Sequence, residues 1–391
     1  MLRERKEELT TPMAFAANAD VLYPGIGIPR DLPLTRLELA LEGQLLFSGQ
    51  TVAGTFFPEA PQSLIRRIRV RGTKVSGGGV ITLVDIRGEE AAMLARAYDQ
   101  YTPLGCNASG VAGGYFAELP GLTDVAFPAF PAATANNKYD FRCHYVVPFA
   151  PPMSIGPDEI QGILDPSIFS QLDLIVTFGD ATYLVNGQTA TVTLNAFGAA
   201  TGAPQVIVSR FAPLAENLPI MRYHYTYLSK YVNVGAQLSA TASNAKVQDI
   251  NVGNRLRAIM LRQYAEQANQ VGLASFTGAG AAATSNLLVG DNSNPGFYRW
   301  YVKLNNSVKW QMRNPDAREL DRRMYGQVNG LWPPGYTLIE WGDRGFTNAT
   351  IFDTRGYGAT ATRFELHADW LNLGATHRLD MMHVEQIPVE V

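Results

Sequence analysis

Leu37, Leu39 and Leu41 alternate with Arg36, Glu38, Ala40 and Glu42, a period of two that predicts a half-buried antiparallel strand. The stretch 64–71 repeats the logic, with Ile68 and Val70 on one face and Arg67, Arg69 and Arg71 on the other. Residues 80–86 follow a Gly77-Gly78-Gly79 turn and form the next predicted strand. Residues 89–98 set Ala, Met and Leu at helical spacing, the clearest helix of the first half. Strong strands are predicted at 139–149 and 172–178, separated by Pro-rich turns and a short helical piece at 158–164. Strands at 183–185 and 189–194 complete that half.

The second half opens with a strand at 205–211 and a stretch rich in Tyr, Ile and Met at 218–231. Residues 255–267 read as a helix, with Leu256, Ile259, Met260 and Tyr264 on one stripe. Further strands are expected at 301–312, 336–341, 349–352, 360–370 and 379–384. Two stretches, 105–135 and 267–295, are too rich in Gly, Ala, Pro, Ser and Asn for core elements and read as long loops. At the N-terminus, Glu4 and Glu8 lie one turn apart and predict a short charged helix over 1–9, a frayed terminus being the alternative. Thr11 has the character of an N-cap and Pro12 of a first helical residue leading into 13–17. Residues 1–20 are therefore read as an arm outside the first barrel. Each half runs through strands, a helix, a long loop and strands again. The economical fold is all-β: two tandem eight-stranded sandwiches over residues 21–208 and 209–391, with short helices and with long loops at one end.

Composition sharpens this picture. At 391 residues the chain suits two domains. Only 17% of residues are charged, low for a soluble surface, which points to burial of that surface by neighbouring subunits. The formal net charge of −3 leaves no polycationic segment, so direct packaging of nucleic acid is not expected. The two cysteines, Cys106 and Cys143, form neither a disulfide framework nor a zinc spacing; a reducing cytosol fits, and a single bridge stays open. The first nine residues are charged where a signal peptide needs an apolar run, and no stretch reads as a membrane span.

Chemistry is looked for and not found. Gly110-Val-Ala-Gly-Gly114 lacks the lysine and the strand–turn–helix setting of a phosphate loop and reads as a turn. His367, His377 and His383 with Asp369 and Asp380 suggest a metal cluster, but their spacing scatters them, and ordinary barrel histidines are the simpler reading. Arg67, Arg69 and Arg71 present a basic strand face that reads as solvated or subunit-facing before it reads as phosphate-binding. Trp300, Trp310, Trp332, Trp341 and Trp370 are weighed as a sugar-stacking platform and as core aromatics, the latter preferred. Glu340 and Asp343 form no recognisable glycosidase pair. Asn107, Asn305 and Asn348 open glycosylation triplets of the kind chance supplies. No catalytic, cofactor or metal residue is assigned, and no enzyme activity is expected.

Several stretches in order along the chain resemble the tectivirus-type double-jelly-roll major capsid proteins. They are Phe57-Pro-Glu-Ala-Pro-Gln-Ser-Leu-Ile-Arg-Arg-Ile-Arg-Val70, the strand ending Tyr145-Val-Val-Pro-Phe-Ala150, and Leu172-Asp-Leu-Ile-Val-Thr-Phe178. Arg322-Arg323, Pro334-Gly335-Tyr-Thr-Leu-Ile-Glu340 and the stretch 363–370 continue the likeness to the closing strands. The resemblance implies that the two sandwiches are jelly-roll barrels and that the chain forms homotrimeric, pseudo-hexagonal capsomers of an icosahedral shell. It further implies a virion location after assembly in the host cytoplasm, contacts with neighbouring capsomers and with penton and minor capsid proteins, and contact of the N-terminal arm with neighbouring capsomers or with an internal membrane. A carbohydrate-binding β-sandwich of a spike or tail is the alternative.

Overall fold

The computed structural model describes residues 3–11, 13–25, 27–47, 62–99, 107–108, 138–149, 163–184, 190–194, 205–212, 223–265, 296–325, 335–341, 352–355, 363–375 and 377–389. The expected loops at 105–135 (apart from 107–108) and 267–295, and the helical piece at 158–164 up to residue 162, lie outside the described residues. The chain is all-β in character and divides into two compact units. The first runs to Leu228 and takes up the chain again from Gln386; the second holds Ser229–Glu385.

In the first unit one sheet runs β1 (Arg3–Glu8), β10 (Gln205–Ala212), β3 (Leu34–Phe47), β7 (Lys138–Pro148) and β6 (Asn107–Ala108). Strand β3 is long enough to serve two partners on one edge: its start pairs with β10, and Gly43–Phe47 pair with β9 (Ala190–Leu194). The second sheet of this unit orders β5 (Val80–Ile86), β4 (Ile65–Lys74), β8 (Phe169–Phe178) and β2 (Asp20–Leu22). The first-unit part of β11 (Tyr223–Val232) adds to β5 in parallel through Tyr227 and Leu228. Alternation survives folding where one strand face is wet. Leu37, Leu39 and Leu41 are buried on β3, as are Leu172, Leu174, Val176 and Phe178 on β8.

Helix α1 (Gly88–Asp99) forms where the spacing predicts it and packs on β7 and β4. Its first turn is closed by the Glu90 carboxylate, which accepts the Arg87 backbone N–H at 2.8 Å. Ala91, Ala92, Met93, Leu94 and Ala95 are all buried. Position 88, where the helix starts, must be glycine, because any side chain there would run into the Ile65 carbonyl, 2.2 Å from an ideal Cβ.

The second unit sets β16 (Tyr336–Glu340), β13 (Arg255–Ala265) and β19 (His377–Pro388) in one sheet, with β17 (Phe352–Asp353) also on β13. The other sheet runs β12 (Ala242–Asp249), β18 (Phe364–Leu371), β14 (Gly296–Leu304) and β15 (Ser307–Arg313). Both sheets feed one core, in which Leu256, Ile259, Leu261, Ile339, Leu379 and Met381 meet Phe297, Trp300, Val302, Leu366, Ala368 and Trp370. A second helix, α2 (Asn314–Tyr325), packs against β16, β14 and β15.

Several local expectations are corrected. Residues 255–265 form strand β13 instead of a helix. Every residue from Leu256 to Tyr264 is buried, so both strand faces carry core residues, and a helical stripe can be picked out of a run that is covered on both sides. Residues 3–8 are also a strand, antiparallel to β10, and not a charged helix. A six-residue charged segment has no apolar stripe to hold a helix, whereas here it gains a backbone ladder and ion pairs from Lys6 to Glu38 (2.6 Å) and from Glu7 to Arg210. Residues 13–17 form no helix: Met13 is buried and the Phe15 ring meets Phe178 edge-on at 5.1 Å. Ala181–Tyr183 is a 3-10 turn capped by Asp180, which accepts the Thr182 N–H at 2.8 Å, in place of a strand at 183. The stretch 301–312 is a hairpin, turning at Asn305 and Asn306 with φ of 48° and 65°, the left-handed pair a two-residue turn requires.

One close approach decides how β4 and β8 pack. The Phe169 ring lies over Gly72, 2.4 Å from where a Cβ would stand. Gly72→Val should displace that ring and destabilise the protein by about 1–3 kcal/mol. The measurement is the urea midpoint; an unchanged midpoint would show that the ring does not occupy this position.

Candidate functional site

Most of the described residues that the sequence marks for chemistry have a partner within the fold. Three of the five weighed for a metal cluster, His377, Asp380 and His383, lie on β19, with the two histidines six positions apart. At ~3.3 Å per residue that is roughly 20 Å of strand, too far for a shared ion. His377 is buried, and its Nδ1 accepts the Gly374 N–H at 2.9 Å. Burial, followed by the Arg378 charge, pushes its pKa down to about 4. His367, on β18, directs Nε2 to the Glu365 carboxylate at 3.0 Å and Nδ1 to the Asn244 carbonyl at 3.1 Å. The Glu365 carboxyl is held below its usual range by the His367 contact first, with Lys246 adding to it. Among the described residues no group of three or more His, Cys, Asp or Glu converges on a metal position.

Asp369 fills a bulge. Two residues of β12, Ser243 and Asn244, sit opposite it, and its carboxylate accepts the Ser243 hydroxyl at 3.0 Å and the Asn244 N–H at 2.5 Å on one oxygen and the Tyr301 hydroxyl at 2.8 Å on the other. Asp380 pairs with Arg262 at 2.7 Å, both side chains 0% exposed, and the Arg262 guanidinium also lies over the Tyr264 ring at 4.0 Å. Glu340 accepts from Arg257 at 3.0 Å across the β16–β13 pair; Asp343 lies outside the described residues.

Two of the three arginines weighed on β4, Arg67 and Arg69, are neutralised within the sheet. Arg67 forms a bidentate pair with Asp85 of β5 at 2.5 and 2.6 Å, and Arg69 binds Asp20 of β2. Asp20 is held below its usual range, chiefly by Thr177 and then by Arg69. A phosphate would have to compete with carboxylates already in place. The tryptophans are core residues. Trp300 stacks on Phe297 at 4.5 Å, Trp370 meets the same ring edge-on at 5.6 Å, and both are buried. Trp310 and Trp341 pack against this core from partly exposed positions. Trp332 and 110–114 lie outside the described residues.

Sequence reasoning missed α2. Its signals are Pro315 and Asp316 in the first turn and the Glu319–Arg323 pair at 2.9 Å, one turn apart. The helix finishes two open structures. Its Asp321 carboxylate accepts the Leu338 N–H of β16 at 3.0 Å, and Asn314 accepts from Thr337 at 2.8 Å and from the Trp300 indole at 3.4 Å. Helix α1 holds the corresponding place in the first unit: each helix follows a hairpin, β4–β5 or β14–β15.

No protein-family model matches the sequence, and no curated protein matches it. Solved structures do. The STIV MCP crystal structure superposes with a TM-score of 0.61 at 11% identity, covering 98% of this chain and 97% of that one. The atomic structure of Sulfolobus Turreted Icosahedral Virus gives 0.61 at 12% identity, over 98% and 90%. The major capsid protein P2 from bacteriophage PM2 gives 0.53 at 10% identity, over 99% and 98%. At such identities the likeness is one of fold, and it runs through nearly the whole of each chain. The protein is a double jelly roll, with the architecture seen in these viral capsid proteins.

Two outcomes test the internal roles assigned here. Arg262→Met or Asp380→Leu alone should cost about 3–5 kcal/mol by stranding a buried charge, and the double variant should recover most of that loss. Equal and additive losses in denaturant midpoints would contradict the pairing. For His377 the folded pKa lies below the unfolded value of about 6.5, so the unfolded state binds the proton first. The stability contributed by the neutral ring is therefore complete above pH 6.5 and is lost as pH falls towards 4, about 3 kcal/mol at most. His377→Gln should flatten the urea midpoint between pH 6.5 and 4; a curve parallel to the parent would count against it.

Proposed function

We propose that this chain is the major capsid protein of an icosahedral virus, located in the virion and assembling as homotrimers in the host cytoplasm. The observation that carries the reading is the end-to-end match of both jelly rolls to the STIV MCP, over 98% of this chain and 97% of that one. Three copies would set six similar barrels about one axis, and a pseudo-hexagonal block tiles six-coordinated lattice positions. The low charged fraction, 17%, suits a surface largely covered by copies of itself. Neighbouring capsomers, penton proteins and minor capsid proteins are the partners such a block requires. The chain acts as a building unit in this reading and not as a catalyst.

Two expected contacts are weighed by what the structure offers them. Arg3–Glu8 lies along β10, so the reading gives this strand a place in the barrel and not at a membrane. No helix among the described residues is long and apolar enough to cross one. The carbohydrate-binding alternative drew on the tryptophans, and Trp300 and Trp370 are inside the core.

Size-exclusion chromatography with light scattering should give a stable species of three chain masses. A monomer that binds glycans on an array would overturn the capsid reading in favour of the alternative.

A further inference from the structure

His224 lies on the first-unit part of β11 and is 1% exposed. Its ring sits beside Phe169 of β8, centroids 6.0 Å apart, and its Nδ1 has no hydrogen-bond partner among the described residues. The neighbouring residues of β11 are buried too: Tyr225, Thr226 and Tyr227, the last donating its hydroxyl to the Pro148 carbonyl. The pairs that join β11 to β5, Tyr227 with Val84 and Leu228 with Asp85, both fall beyond His224. Position 224 lies outside that pairing, and its ring packs on Phe169.

Among the described residues, the charged groups around the ring do not offset its burial. Asp165, before the short turn Pro166–Ile168, is the nearest acid in effect, but one of its oxygens already accepts the Ser167 N–H at 2.9 Å and the Ser167 hydroxyl at 2.7 Å. Lys74, at the end of β4, acts on the ring with the same sign as an added proton. Arg30 donates to the Phe169 carbonyl and brings a further positive charge to that strand. A neutral imidazole packs well in this place. A protonated one must leave it or admit water.

We propose that His224 is an acid-operated latch: proton uptake by its ring releases the first-unit segment of β11, the strand through which the chain passes into its second unit. Burial drives the pKa down to about 4, so the latch stays shut at neutral pH and opens in acid. The sign agrees with linkage. The open segment binds its proton near pH 6.5 and the packed one near 4, so opening becomes easier throughout that interval as pH falls.

The test is hydrogen–deuterium exchange of the full-length protein at pH 7 and 4.5, each corrected against the unfolded chain at the same pH. Protection of amides 223–228 should drop by about tenfold or more at the lower pH, beyond any change on β3 of the same unit. His224→Phe, which keeps an apolar ring beside Phe169, should abolish that local drop. An unchanged wild-type segment, or an equal loss in His224→Phe, would overturn the proposal. Should that variant fail to fold, C2–H exchange of the wild-type histidine followed by mass spectrometry decides. A ring titrating near 4 supports the latch, and one titrating at or above 6 refutes it.

Discussion

Strand edges are the constraint on which the first unit depends, because an unpaired row of backbone N–H and C=O groups invites another chain to pair with it. The start of the chain meets this need in both sheets. Arg3–Glu8 lies along β10, and the Leu9 N–H continues to the Val206 carbonyl at 2.9 Å. The chain then passes over Met13 and Phe15, fastens Asn18 to Asp180 at 2.6 Å, and pairs Asp20–Leu22 with β8. Tyr23 and Ile28 complete it with N–H donors to Leu174 and Leu172, and Gly27 makes the approach feasible, since a side chain there would strike the Leu172 carbonyl. One segment thus covers an edge of each sheet and ties the two together.

The second unit solves the same problem with irregularity. Strand β12 carries two register shifts, one of them plugged by Asp369, and β15 is shifted against β14 so that Lys309 stands out of the ladder. Strand β16 has its Leu338 N–H taken by Asp321 of α2. Bulges, an edge lysine and a covering helix all deny a template for edge-to-edge pairing.

Charge is spent inside the molecule. Arg262 with Asp380, Arg257 with Glu340, Arg69 with Asp20 and Arg210 with Glu7 each join strands of one unit, and Arg210 also holds Asp31 of the segment before β3. Residues that invite a catalytic or phosphate-binding reading therefore have structural partners. Partner removal in such pairs is costly even where the pair itself adds little net stability, which makes them devices for register as much as for strength.

The sequence by itself determined the elements whose periodicity is local and one-sided. Leu37, Leu39 and Leu41, the strand at 172–178 and helix α1 were legible because apolar residues recur at strand or helical spacing within a short stretch. So were the all-β class and the pair of sandwiches. Tertiary structure alone decided the rest. Covered on both faces, 255–265 loses the period that would mark it as a strand, while Arg3–Glu8 becomes a strand only because β10 offers an edge. Helix α2 carried readable signals in Pro315, Asp316 and the Glu319–Arg323 pair, yet its purpose, closing β16, lies in a contact no local pattern contains. Which carboxylate meets which arginine is likewise set by strand register, and register is a property of paired chains that are distant in sequence.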